Sequence, residues 1–89
     1  MEENGDKYRA PALEKGLDII ELLASHSEGL TQVEVAKALD RSSSEIYRML
    51  STLVRRGYVI RSLSGDRYSL SLKMFSISQR HPPIGRVIE

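Results

Sequence analysis

A chain of 89 residues makes one small domain, able to hide only about 60–65% of its unfolded surface, which argues against an enzyme cavity walled on all sides. With no cysteine, with His26 and His81 too far apart to form a motif, and with no apolar run near the roughly 18 residues of a membrane span, the chain reads as a cytoplasmic binding module without metal or cofactor. The net charge of +1 hides a division: residues 1–40 hold four bases against nine acids, residues 41–67 six arginines against two acids, and residues 68–89 three bases against one acid, so one side of the fold is available to a polyanion.

Residues 1–10 are polar, acidic at the start and aperiodic, and read as a disordered leader; the acidic opening is unlike a signal peptide. Pro11 suits the first turn of a helix. Leu13, Leu17, Ile20 and Ala24 then recur at helical spacing, reinforced by Gly16, Ile19 and Leu23, which predicts a first helix to about Ser25 with Leu13, Leu17 and Ile20 in the core. Glu14, Asp18 and Glu21 share a flank of this helix, but no basic or metal-binding partner joins them, so they read as solvated and not as catalytic. Gly29 breaks the chain. Thr31 with Glu34 three residues on forms a capping box, opening a short second helix with Val33, Ala36 and Leu39 inward and an end near Asp40.

The cap repeats at once: Ser42 and Glu45 form a second S-x-x-E, and Gly57 supplies a left-handed stop after Arg56. Between these limits Ile46, Leu50 and Leu53 stack on one side, flanked by Met49 and Val54. The other side carries Ser44, Tyr47, Arg48, Ser51, Thr52 and Arg55, with Glu45 as the helix's single acid. Hydroxyls, a tyrosine and arginines on one face are the groups that bond phosphate oxygens and base edges of a duplex. About three residues separate the second and third helices, which forces a steep crossing, the helix-turn-helix arrangement whose second helix enters a major groove.

Residues 58–61 and 67–70 have strand composition and are joined by Leu63-Ser64-Gly65-Asp66, with glycine at a turn position. A hairpin directly after a recognition helix is a wing, and Arg61 and Arg67 lie where they reach a minor groove or its flanking phosphates. Leu72–Ser78 is a further short helix candidate, Pro82-Pro83 interrupts it, and residues 84–89 read as the first turns of another helix, as if the chain were a piece of a longer product. The expected fold is therefore mainly α with a small β-hairpin, a winged helix-turn-helix over residues 11–80.

Each candidate also has a plainer role. Ser42 is first a cap; Arg55 and Arg56 can serve the helix dipole, with a phosphate contact open to Arg55; Arg61 and Arg67 can form a solvated cross-strand pair. Thr31 and Gln32, at the start of the second helix, can touch backbone phosphate. Ile46, Leu50, Leu53, Tyr68, Leu70 and Phe75 are assigned to core.

From Ala10-Pro11-Ala12-Leu13-Glu14-Lys15-Gly16-Leu17, through Gly29-Leu30-Thr31 and Ala36-Lys37-Ala38-Leu39, to Ile46-Tyr47-Arg48-Met49-Leu50 and Tyr68-Ser69-Leu70-Ser71-Leu72, the chain resembles the N-terminal winged-helix domain of the IclR (isocitrate lyase regulator) transcription factors. The resemblance implies a sequence-specific DNA-binding domain of a transcriptional regulator that reads a palindromic operator. It places contacts at Ser43, Ser44, Tyr47 and Arg48, with Arg61, Gly65 and Arg67 behind them. It further implies pairing into dimers or tetramers through the first helix and a linker helix. Residues 81–89 would begin that linker, and a C-terminal domain outside this chain would take a small organic effector. Asp40 and Glu45 depart from the residues common in the family, and an acid at the start of a DNA-facing helix opposes phosphate unless its cap consumes it. The competing reading is a winged-helix module for protein pairing, which needs no basic face.

Overall fold

The computed structural model describes residues 8–80; most of the expected leader, residues 1–7, and the expected start of a linker, residues 81–89, lie outside them. Pro11, which has no N–H to leave unpaired, opens α1 (Pro11–Ala24). Both predicted capping boxes are formed. Thr31 caps α2 (Gln32–Leu39) and Ser42 caps α3 (Ser43–Arg55), each hydroxyl accepting from the backbone N–H three residues on while the glutamate there accepts from the cap's own N–H. Asp40 takes the left-handed conformation (φ 55°, ψ 51°) that ends α2, which a short polar side chain tolerates, and only residues 40–42 separate the two helices.

At the other end of α3, Gly57 has φ 87°, a value that asks for glycine, and turns the chain into β1 (Val59–Arg61). β1 pairs antiparallel with β2 (Tyr68–Leu70), with Val59 opposite Leu70 and Arg61 opposite Tyr68. Arg61 therefore faces Tyr68 across the ladder, and not Arg67 as a cross-strand arginine pair would require. α4 (Lys73–Gln79) follows, one residue later than expected at each end. Leu30, just before the Thr31 cap, exchanges two backbone bonds with Tyr68 (2.9 and 2.8 Å), adding a single rung on the far side of β2 that ties the hairpin to the start of the helix-turn-helix.

The core takes two side chains from each main element: Ile19 and Leu23 from α1, Val35 and Ala36 from α2, Ile46 and Leu50 from α3, and Val59 and Tyr68 from the hairpin. Fully burying an aliphatic side chain contributes about 1.5–3 kcal/mol, so these residues supply the main drive that brings α3 across α2. The third helix uses the predicted face. The first does not: Leu13 and Leu17 are 62% and 46% exposed, Ala24 is exposed, and Ile20 is only half-buried, while the stripe of Ile19 and Leu23 points inward. α1 thus carries two apolar stripes, and the one expected in the core is the outer one. In α2 Val35 replaces Val33 as the inward valine, and Phe75 of α4 is 64% exposed, outside the core.

Candidate nucleic-acid interface

The outer face of α3 stands in solvent. Ser44, Tyr47, Arg48, Thr52 and Arg55 are exposed and Ser51 is half-buried, so among the described residues no neighbouring segment covers the face that would meet a duplex. Arg48 and Arg55 make no side-chain hydrogen bond, ion pair or ring contact among the described residues, and their guanidinium donors are free for an anionic or carbonyl acceptor. Tyr47 is 51% exposed, its ring half against the protein and half available.

Glu45, the acid that would oppose phosphate, is turned away from this face. One carboxylate oxygen accepts from the Ser42 backbone N–H at 3.4 Å, and the other accepts from Lys15 Nζ at 2.6 Å, a partly buried ion pair between α1 and the first turn of α3. The Lys15 hydrogen bond, with the Ser42 N–H behind it, holds the Glu45 carboxyl below the usual carboxylate range, so it stays ionised where it also favours the helix dipole. The N-terminus of α3 thereby keeps its cap without presenting negative charge outward.

Gln32 and Ser43 are brought together. Gln32 Nε2 donates to Ser43 Oγ at 2.8 Å and to the Ser43 carbonyl at 3.1 Å, pinning the starts of α2 and α3 to each other. Accepting from the amide leaves the Ser43 hydroxyl proton available to a phosphate. Thr31 is occupied as a cap: its Oγ1 accepts from Glu34 N at 3.1 Å, and its own N–H donates to Glu34 Oε1 at 2.8 Å.

The wing residues are placed differently from their expected roles. Arg61 lies over the Tyr68 ring at 5.2 Å and donates to the Gly65 carbonyl at 2.6 Å, bracing the hairpin turn in which Gly65 has φ 81°. Arg67 turns back toward the body of the domain, donating to the Gly29 carbonyl at 3.0 Å and lying 3.6 Å from Glu34. Between α3 and the wing a notch of about 190 Å³ is lined by Ser51, Val54, Arg55, Arg61 and Tyr68, with cationic side chains beside an apolar floor.

Two basic residues near this surface were not singled out from the sequence. Arg41 is exposed in the turn between α2 and α3, visible in the charge count but without a periodic pattern to assign it. Lys73 donates to the Arg56 carbonyl at 2.8 Å and lies 4.7 Å from the centre of the Tyr58 ring, closing the C-terminal end of α3 from seventeen residues away. No helix of the described residues is long and apolar enough to cross a membrane.

Comparison with known proteins agrees with this geometry. The IclR helix-turn-helix domain, as a family model, matches residues 12–62. The chain is 34% identical over 67 residues to the HTH-type transcriptional regulator KdgR of Escherichia coli, covering 74% of this chain and 25% of that protein. It is 48% identical over 46 residues to the HTH-type transcriptional regulator BhcR of Paracoccus denitrificans, covering 52% and 16% respectively. Among solved structures, an IclR transcriptional regulator from Alicyclobacillus acidocaldarius superposes with a TM-score of 0.76 at 27% identity, over 82% of this chain and 30% of that one. The chain thus spans about a quarter or less of the curated regulators it matches.

Proposed function

The chain belongs to the IclR family through its helix-turn-helix domain, and from that premise we propose that it binds operator DNA sequence-specifically as the DNA-binding domain of a transcriptional regulator, and is not an enzyme. The observation that carries this reading is the outer face of α3, where Arg48 and Tyr47 stand exposed while the helix's single acid is tied back to Lys15. In the major groove, Arg48 offers paired donors that suit guanine O6 and N7, with Ser44, Tyr47, Ser51 and Thr52 beside it for base edges or phosphate. Ser43, Thr31 and Gln32 lie at helix N-termini suited to phosphate, Arg55 offers its guanidinium from the last turn of α3, and the wing, stiffened by Arg61, Gly65 and Arg67, follows the adjacent backbone.

The outer apolar stripe of α1, with Leu13 and Leu17 exposed, supports pairing with a second copy, so that two α3 helices read a palindrome at half-sites about 34 Å apart or multiples of that. Assembly as a dimer or tetramer, work in the cytoplasm and control by a small organic effector belong to the same proposal, the effector acting through a part of the protein outside these 89 residues.

The reading is tested by titrating the chain against duplex DNA at several salt concentrations. Log K should fall linearly with log salt, by about 0.9 for each phosphate neutralised. A module that serves only protein pairing would leave duplex binding weak and self-association indifferent to the α3 face.

A further inference from the structure

We propose that Leu63, at the apex of the hairpin, enters the minor groove of the bound duplex as an apolar wedge, a proposal that rests on the DNA-binding reading above. Proteins read a minor groove with long cationic or amide side chains, or they press an apolar side chain between base steps and unstack them. Both wing arginines are engaged elsewhere: Arg61 on the Tyr68 ring and the Gly65 carbonyl, Arg67 on the Gly29 carbonyl beside Glu34. The acid of the turn is also drawn in, since Asp66 Oδ1 accepts from Ser64 Oγ at 2.6 Å and from Ser62 Oγ at 3.1 Å. What the apex offers to a partner is Leu63, fully exposed.

A lone exposed leucine is ordinary on a protein surface. Leu63 differs because the turn that presents it is fixed in place. Gly65 N donates to the Ser62 carbonyl at 2.8 Å, Ser62 N to the Arg67 carbonyl at 2.9 Å, and Arg67 N to Ser62 Oγ at 3.2 Å, with Arg61 closing the loop from outside. A turn held by these bonds loses little backbone freedom when it binds, so the cost that remains is mainly the ordering of the leucine side chain itself. Leucine forms no hydrogen bond and cannot read the acceptor pattern of the groove floor. It selects instead for steps that unstack readily, TA and CA/TG, over stiff A-tracts.

The probes are duplexes recovered by the full wild-type chain from a randomised pool, rebuilt with TA, CA or AA at the step facing the wing and labelled at both ends for energy transfer. Wild type should bind the TA and CA versions more tightly than AA and bend them toward the major groove. Leu63→Ala should bind those two about tenfold more weakly, lose the step preference and most of the bend, and keep both the salt slope and the thermal midpoint of wild type. Leu63→Ala with wild-type affinity and bend overturns the wedge, and so does weaker binding with bend and step preference intact. If the wild-type chain enriches no duplex, it is the DNA-binding reading itself that falls; if Arg48→Ala also leaves affinity unchanged, it is the seating of α3 in the groove that falls; a normal loss with Arg48→Ala confines the failure to the wedge.

Discussion

Arg48→Ala removes a guanidinium that α3 holds in solvent with no partner among the described residues. Alanine is at least as good a helix former, and nothing buried is lost, so the free energy of unfolding should stay within about 0.5 kcal/mol of wild type. For DNA the sum is different. A bidentate arginine contact to guanine is worth about 1–3 kcal/mol of discrimination, and in the paired assembly proposed above it occurs twice per operator, so about 2–6 kcal/mol should disappear, from roughly 30-fold to more than ten-thousand-fold in Kd. If Arg48 meets a phosphate instead, the loss is uniform across sequences and the slope of log K against log salt becomes shallower by about 0.9 per copy. Fluorescence anisotropy on a selected operator and a scrambled duplex, each at several salt concentrations, separates these cases. An unchanged Kd at every salt, with an unchanged thermal midpoint, would refute the assignment of α3 to the groove.

Two neighbours on α1 should behave oppositely. Ile19→Ala, at a fully buried position, should cost about 2–5 kcal/mol in chemical denaturation, whereas Leu17→Glu, on the outer stripe, should leave the denaturation midpoint in place and shift sedimentation toward the monomer. Acid should act through Glu34 and Glu45, both held below the ordinary value of 4.5, Glu34 chiefly by the Thr31 N–H and Glu45 chiefly by Lys15. Because their folded pKa values are depressed, the stability they contribute is present above about pH 4.5 and is lost as pH falls through the folded values. Glu45→Gln should therefore lower the midpoint at pH 7 and flatten the decline below about pH 4.5 in thermal melts; an acid profile identical to wild type would count against the Lys15 tie.

Features written in consecutive residues were legible before any coordinates. The two capping boxes, the three-residue connection and the stops at Asp40 and Gly57 are local chemistry, and each took its expected form. The facing of α1 was not legible, because the helix carries two apolar stripes roughly 110° apart at 100° per residue, and periodicity alone does not say which meets the core and which stays at the surface. Contacts across long separations left no local trace: Gln32 to Ser43 spans eleven residues, Lys15 to Glu45 thirty, and Arg67 to the Gly29 carbonyl thirty-eight. The last of these turned an arginine expected at the groove into a brace. The strand pairing of Leu30 was illegible for a different reason, since one residue of strand has no alternation to detect.

That single rung has a consequence for cooperativity. A two-stranded ribbon alone is marginal in water, yet here Tyr68 is both buried beneath the helices and bonded by its N–H and C=O to Leu30 at the mouth of α2. Gly29 next to it takes φ 87° with Tyr68 O only 3.0 Å from where a methyl group would sit, so a side chain at this position would be crowded against the backbone of β2. The base of the hairpin should therefore open together with the core: hydrogen exchange at the residue 68 amide is expected to track global unfolding, and exchange faster than that of the core helices would show that the wing opens by itself.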